Sequence, residues 1–130
     1  ATQLLHAHGK ATQVHTDGEM KRLIPLFLES GVDVAEAWSP VPMTSVTTAE
    51  LRKAWGDRVT IWGGIPSTLF SPQYSDEEFD AYVMSLFREI APGNNFIVGM
   101  GDNLPFDGKL ERIARVAELI DKHGVLPMEA

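Results

Sequence analysis

Four times along this chain a short apolar run is followed by a stretch with helical spacing of its apolar residues. A helix between two strands returns the chain to the end from which it started, so strands joined this way pair in parallel. The apolar runs are 11–15, 32–37, 58–62 and 95–100. Between them, Met20, Leu23, Ile24, Phe27 and Leu28 form one stripe over 19–30, with Pro25 a local inconsistency that either lies in the first turns or kinks the helix. Thr47 and Glu50 have capping-box spacing ahead of Leu51, Ala54 and Trp55. Ser75 and Glu78 repeat that spacing ahead of the clearest stripe, Phe79, Tyr82, Val83, Leu86, Phe87 and Ile90. Over 109–123, Leu110, Ile113, Val116, Ala117 and Ile120 are expected to face inward. Residues 1–9 read as the last turns of a helix, with Leu4 and Leu5 placed to face a core, and a helix tail at residue 1 suggests that something preceded it.

The expected fold class is therefore α/β, in a single domain spanning residues 1–130. A closed eight-unit barrel takes about 250 residues. Four units form half of such a (β/α)8 TIM-type barrel, or else a small open sheet. Half a barrel leaves two strand edges unpaired and an inner face bare. A homodimer of half-barrels, or a missing N-terminal half, is the expected remedy.

Parallel folds gather their chemistry at the carboxyl ends of the strands. Those ends carry His15-Thr16-Asp17-Gly18, Glu36-Ala37-Trp38, Trp62-Gly63-Gly64 and Gly101-Asp102-Asn103. His15 and Asp17 are two apart and share a face if the extended chain continues that far. An imidazole beside a carboxylate binds a divalent ion or moves a proton. The competing reading makes Asp17 the cap of the next helix, with His15 packed against it. Glu36 follows Val34 on one strand face, and regular alternation puts Trp38 on that face too. Glu36 is then either paired or metal-bound at the end of a buried strand, or already in water. Asp102 sits among glycines that permit close approach of a ligand, although Asp-Asn is also an ordinary turn. His15, Asp17, Glu36 and Asp102 together make a nitrogen/oxygen ligand set for zinc or a harder ion. Gly63-Gly64 reads as a tight turn more readily than as an anion site.

The balance of charge narrows the partners. With 18 acidic and 11 basic side chains, and no basic run, the chain repels a phosphate backbone, so no nucleic acid is expected. No apolar run is long enough to span a bilayer, so no membrane role is expected. There is no cysteine, which excludes thiolate chemistry. No GxSxG, P-loop or CxxC is present. A cytoplasmic setting is the default expectation.

Several segments, taken in order, resemble the uroporphyrinogen decarboxylase superfamily, which includes the corrinoid-linked methyltransferases. They are His15-Thr16-Asp17-Gly18, Gly31-Val32-Asp33-Val34-Ala35-Glu36, Trp55 through Ile65, and Phe96 through Pro105. The resemblance covers about Lys10 to Gly124 and is to the C-terminal half of a (β/α)8 barrel. It implies that these strands are the last four of eight. The decarboxylases typically carry a histidine where this chain has Asp102. The methyltransferases typically bind zinc through His-x-Cys after the fifth strand and a cysteine after the eighth; those positions correspond here to His15, Asp17 and Asp102. The resemblance thus implies methyl transfer on a small organic substrate, possibly metal-assisted, with a corrinoid protein as a possible partner. His15, Asp17 and Asp102 would be the catalytic or metal residues. Glu36 would be a fourth ligand or a support, with Trp38 and Asn103 at the substrate. The alternatives are uroporphyrinogen decarboxylation in tetrapyrrole biosynthesis, and an inactive fragment stable only as an oligomer.

Overall fold

The computed structural model describes residues 1–128, and in it all four strands pair in parallel, in the order β1-β2-β3-β4. The strands are β1 (Gln13–His15), β2 (Val34–Trp38), β3 (Thr60–Ile65) and β4 (Phe96–Met100). Helices alternate with them: α1 (Thr2–Ala7), α2 (Ile24–Ser30), α3 (Thr48–Trp55), α4 (Asp76–Ile90) and α5 (Glu111–His123). A short 3-10 turn, Ser67–Phe70, precedes α4. No helix of the described residues is long and apolar enough to cross a membrane.

Both capping boxes form. The Thr47 hydroxyl accepts from the Glu50 amide, and the Glu50 carboxylate accepts from Thr47 in return. Ser75 and Glu78 do the same for α4. Each pair satisfies amides that the first helical turn leaves without a partner. Pro25 falls in the first turn of α2, where a missing N–H costs nothing, so the helix starts at Ile24 rather than near residue 19. Met20 still reaches the core from the turn before it.

Two apolar clusters hold the helices to one face of the sheet. Trp55, Leu51, Val46, Ala35 and Ile61 anchor the first; the Trp55 indole stacks on Phe27 and donates to the Ile24 carbonyl. The α4 stripe, Phe79, Val83, Leu86, Phe87 and Ile90, packs with Ile65 and Phe70 in the second. A single side chain ties the loop before α4 to α5. Arg112, only 3% exposed, donates to the carbonyls of Leu69, Ser71 and Tyr74 and to the Asp76 carboxylate, and lies over the Phe79 ring.

Two expectations from periodicity fail, one at each end of the molecule. Leu4 and Leu5 are exposed rather than in a core, because α1 packs no apolar face against the sheet. What holds α1 is polar: Asp33 accepts from the His6 ring and from the Thr12 amide and hydroxyl. Those hydrogen bonds, that of His6 foremost, hold the Asp33 carboxyl down at about 2. On α5, Leu110 and Ile113 are also exposed, and only Leu119 and Arg112 are fully buried. What α5 does bury, Leu119 with Val116 and Ile120 beside it, packs into the cluster built around α4.

Strand β2 carries the feature that shapes the site. Its register against β3 shifts between Ala35 and Trp38, and Ala37 takes a positive φ of 62°. This is a β-bulge, in which one extra residue turns the next side chain to the other face.

Candidate metal site at the strand tips

The β1 and β4 tips bring the two edges of the sheet together. In a flat sheet β1 and β4 would stand three spacings apart, about 14 Å. Yet one ligand atom each from His15, Asp17 and Asp102 lies within 4.8 Å of the others. Curl of the sheet and the reach of the two tips close the gap.

Strand β1 ends at His15, and the Thr16 hydroxyl and amide both hold on to the Glu36 carbonyl. This clamp carries β1 one residue further alongside β2 and leaves Asp17 at the rim. Asp17 caps no helix: α2 begins seven residues later, and Leu23 is its N-cap. The carboxylate that does brace this loop is Glu19, which accepts from the amides of Lys21 and Ser45. Asp102 is positioned from its own loop, where its Oδ1 accepts from the Asn103 amide at 2.7 Å and from Asn103 Nδ2 at 3.3 Å. Asn103 therefore orients Asp102.

Glu36 lies outside the group of three. Its Oε2 is 2.7 Å from His15 Nδ1. A carboxylate only accepts, so Nδ1 carries the proton, and in the neutral ring Nε2 keeps a free lone pair. That is the arrangement by which a carboxylate orients a metal-binding histidine. Of the two roles expected for Glu36, fourth ligand or support, this contact matches the support. The Glu36 hydrogen bond, aided by the charges of Glu36, Asp17 and Asp102, also holds the His15 imidazole above its usual 6.5.

Trp38 is the clearest departure from the sequence expectation. Regular alternation places it on the same face as Glu36. The bulge at Ala37 instead turns it to the face of Ala35, where it is wholly buried in the core. The residue on the open face is Trp62, which is paired with Ile97 across β3 and β4. Gly99 leaves room for its indole, since a Cβ there would meet Trp62 Nε1 at 3.2 Å. Alternation from Ile61, a core residue, was the signal in the sequence that marks Trp62 as facing the other way.

Gly63 and Gly64, expected to end β3 in a turn, lie inside it and pair with Val98 and Gly99. Gly63 has φ 141°, and a Cβ there would stand 2.3 Å from the Trp38 carbonyl oxygen. A Cβ on Gly101 would stand 2.5 Å from the same carbonyl oxygen. The two glycines thus let β3 and the β4 tip close around the bulged end of β2.

The donor set suits a divalent cation. One neutral imidazole nitrogen and two carboxylates fit zinc or a harder ion, and no thiolate is present to favour a softer one. Without a metal, the same three groups can hold and pass a proton at the rim of the sheet. In comparison with known proteins, the chain matches no family model and no curated protein.

Proposed function

We propose that this chain is the C-terminal half-barrel of a uroporphyrinogen decarboxylase-superfamily protein, and that it belongs with the methyltransferase branch. In this reading it moves a methyl group on a small organic substrate, in the cytoplasm, with a divalent metal at His15, Asp17 and Asp102. The observation that carries the proposal is the meeting of those three side chains from opposite edges of the sheet. They are the positions at which the resemblance places metal ligands.

A divalent ion held there would supply a Lewis acid to polarise a substrate atom. The chain's own contribution is orientation. Glu36 fixes the His15 tautomer and ring, and Asn103 fixes Asp102. Two carboxylates in place of two thiolates make a harder site, suited to an oxygen-bearing substrate. A corrinoid protein would dock over the open strand tips.

Metal titration by calorimetry, with zinc and with manganese, tests the assignment. The combined variant His15→Ala, Asp17→Asn, Asp102→Asn is expected to bind at least about 100-fold more weakly, and Glu36→Gln about 10-fold more weakly. Unchanged affinity in the combined variant would remove the ligand assignment. Decarboxylation of uroporphyrinogen is the second reading. It needs cations for the substrate's carboxylates, and no Lys or Arg stands among residues 15–18, 36–39, 62–66 or 101–106. Carbon dioxide released from uroporphyrinogen by this chain would reverse the order of the two.

A partner for the sheet belongs to the same proposal. Parallel sheets are covered on both faces in nearly every known case. Here Trp62 and Ile97 face away from the helices and are 36% and 44% exposed. A second copy of the chain, or four further strand-helix units, would cover them, and an unassembled chain of this kind would be inactive. Light scattering is expected to show a species larger than the 14.3 kDa chain, and a monodisperse monomer would count against it.

A further inference from the structure

Behind Asp17 and Asp102 lies a hollow of about 120 Å³, walled also by Met20, Trp38, Ser39 and Met43. Two of its wall residues hold polar atoms that are buried and have no hydrogen-bond partner: Trp38 Nε1 and Ser39 Oγ. A buried indole N–H left unpaired costs about 1–3 kcal/mol, and native structures rarely leave one so. The other hydroxyls in the wall are already engaged. Thr16 donates to the Glu36 carbonyl, and Thr44 donates to the Ser39 carbonyl.

We infer that this hollow is the substrate end of the site and takes a short-chain alcohol. The unpaired groups define what fits. Trp38 Nε1 only donates, so the ligand must accept there, and an ammonium group is excluded. Asp17 and Asp102 stand in the wall, so an anion is repelled. A hydroxyl oxygen accepts from Trp38 and Ser39, while its own proton goes to a carboxylate. The Met20 and Met43 side chains and the Trp38 ring offer apolar surface to a short alkyl group. The volume is smaller than the roughly 150 Å³ cavity that admits benzene and equals about four waters, which suits an alcohol of about two to four carbons. Asp17 and Asp102 belong both to the wall of the hollow and to the group of three with His15, which links the hollow to the proposed metal site.

The inference rests on the reading of the same site above, but binding in the hollow needs no metal, so the two fail separately. The chain has three tryptophans and therefore three indole N–H signals. Metal-free protein labelled with nitrogen-15 is titrated with 1-propanol. The Trp38 signal is expected to shift saturably, while that of Trp55, already bonded to the Ile24 carbonyl, stays still. Ser39→Ala, a small change, is expected to weaken binding at least about fivefold. Ser39→Val, which fills the hollow, is expected to abolish it, with the Trp55 signal reporting that the fold is kept. Acetate and propylammonium are expected to leave Trp38 unmoved. A Trp38 signal that never moves or drifts without saturation would overturn the inference, as would an affinity unchanged in Ser39→Ala. In the unmoved case the hollow holds water alone. Propionamide binding as tightly as propanol would overturn the assignment to alcohols.

Discussion

Replacing Arg112 by Ala is expected to destabilise the chain by about 3–5 kcal/mol, a large share of the roughly 5–15 kcal/mol that holds a typical domain. The guanidinium is 3% exposed and donates to three carbonyls of the segment between β3 and α4. Its removal leaves the Leu69 and Tyr74 carbonyls short of a donor in a place water reaches poorly, and each such loss costs about 1–3 kcal/mol. The contact with the Phe79 ring is lost as well. The Asp76 side of the arrangement contributes little to this sum. Asp76 is 73% exposed, so water screens and replaces that ion pair. Urea unfolding should show a lower midpoint with an unchanged slope. Arg112→Lys should recover only part of the loss, because one ammonium cannot reproduce the planar fork that reaches several carbonyls at once. A variant as stable as the parent would show that the loop before α4 is held by its apolar contacts alone.

Gly63→Ala is the second large expectation, at roughly 2–5 kcal/mol. Two independent costs meet at one atom. The backbone sits at φ 141°, which a residue with a Cβ rarely adopts. The added Cβ would also stand 2.3 Å from the Trp38 carbonyl oxygen and 2.8 Å from its nitrogen. Those are backbone atoms of a paired strand, so they cannot rotate aside. The strand would have to move, and the bulge that buries Trp38 would move with it. The damage should therefore reach the site. In thermal unfolding the variant should melt earlier. In the folded fraction the Trp38 indole signal should shift while that of Trp55 stays. Full stability in Gly63→Ala would mean that the close approach of β2 and β3 is not required.

How far the site was legible differs from residue to residue. His15, Asp17 and Asp102 were marked by residue type and by position, since each lies at or just past the carboxyl end of a strand and those ends share one rim of a parallel sheet. Glu36 was left between two roles, ligand and support, because a sequence does not say which carboxylate oxygen meets which ring nitrogen. Trp38 was misplaced. A period of two carries a side chain to a given face only while the strand stays regular, and one residue at positive φ breaks the count. Nothing in the sequence set Ser39 apart. Its unpaired hydroxyl is visible only once the β4 tip closes over it through Gly101.

The sequence by itself determined the order of strands and helices, the two capping boxes and the parallel pairing. These follow from local chemistry: apolar spacing chooses the element, a cap chooses its start, and a helical crossover leaves no other pairing direction. Only the tertiary structure decided that side chains at the tips of β1 and β4 meet, that Ala37 turns Trp38 inward, and that Arg112 closes the loop before α4. Each of these depends on curvature or on contacts between residues far apart in the chain, such as the 43-residue separation between Arg112 and Leu69. No local window contains both partners, so no local pattern encodes the result.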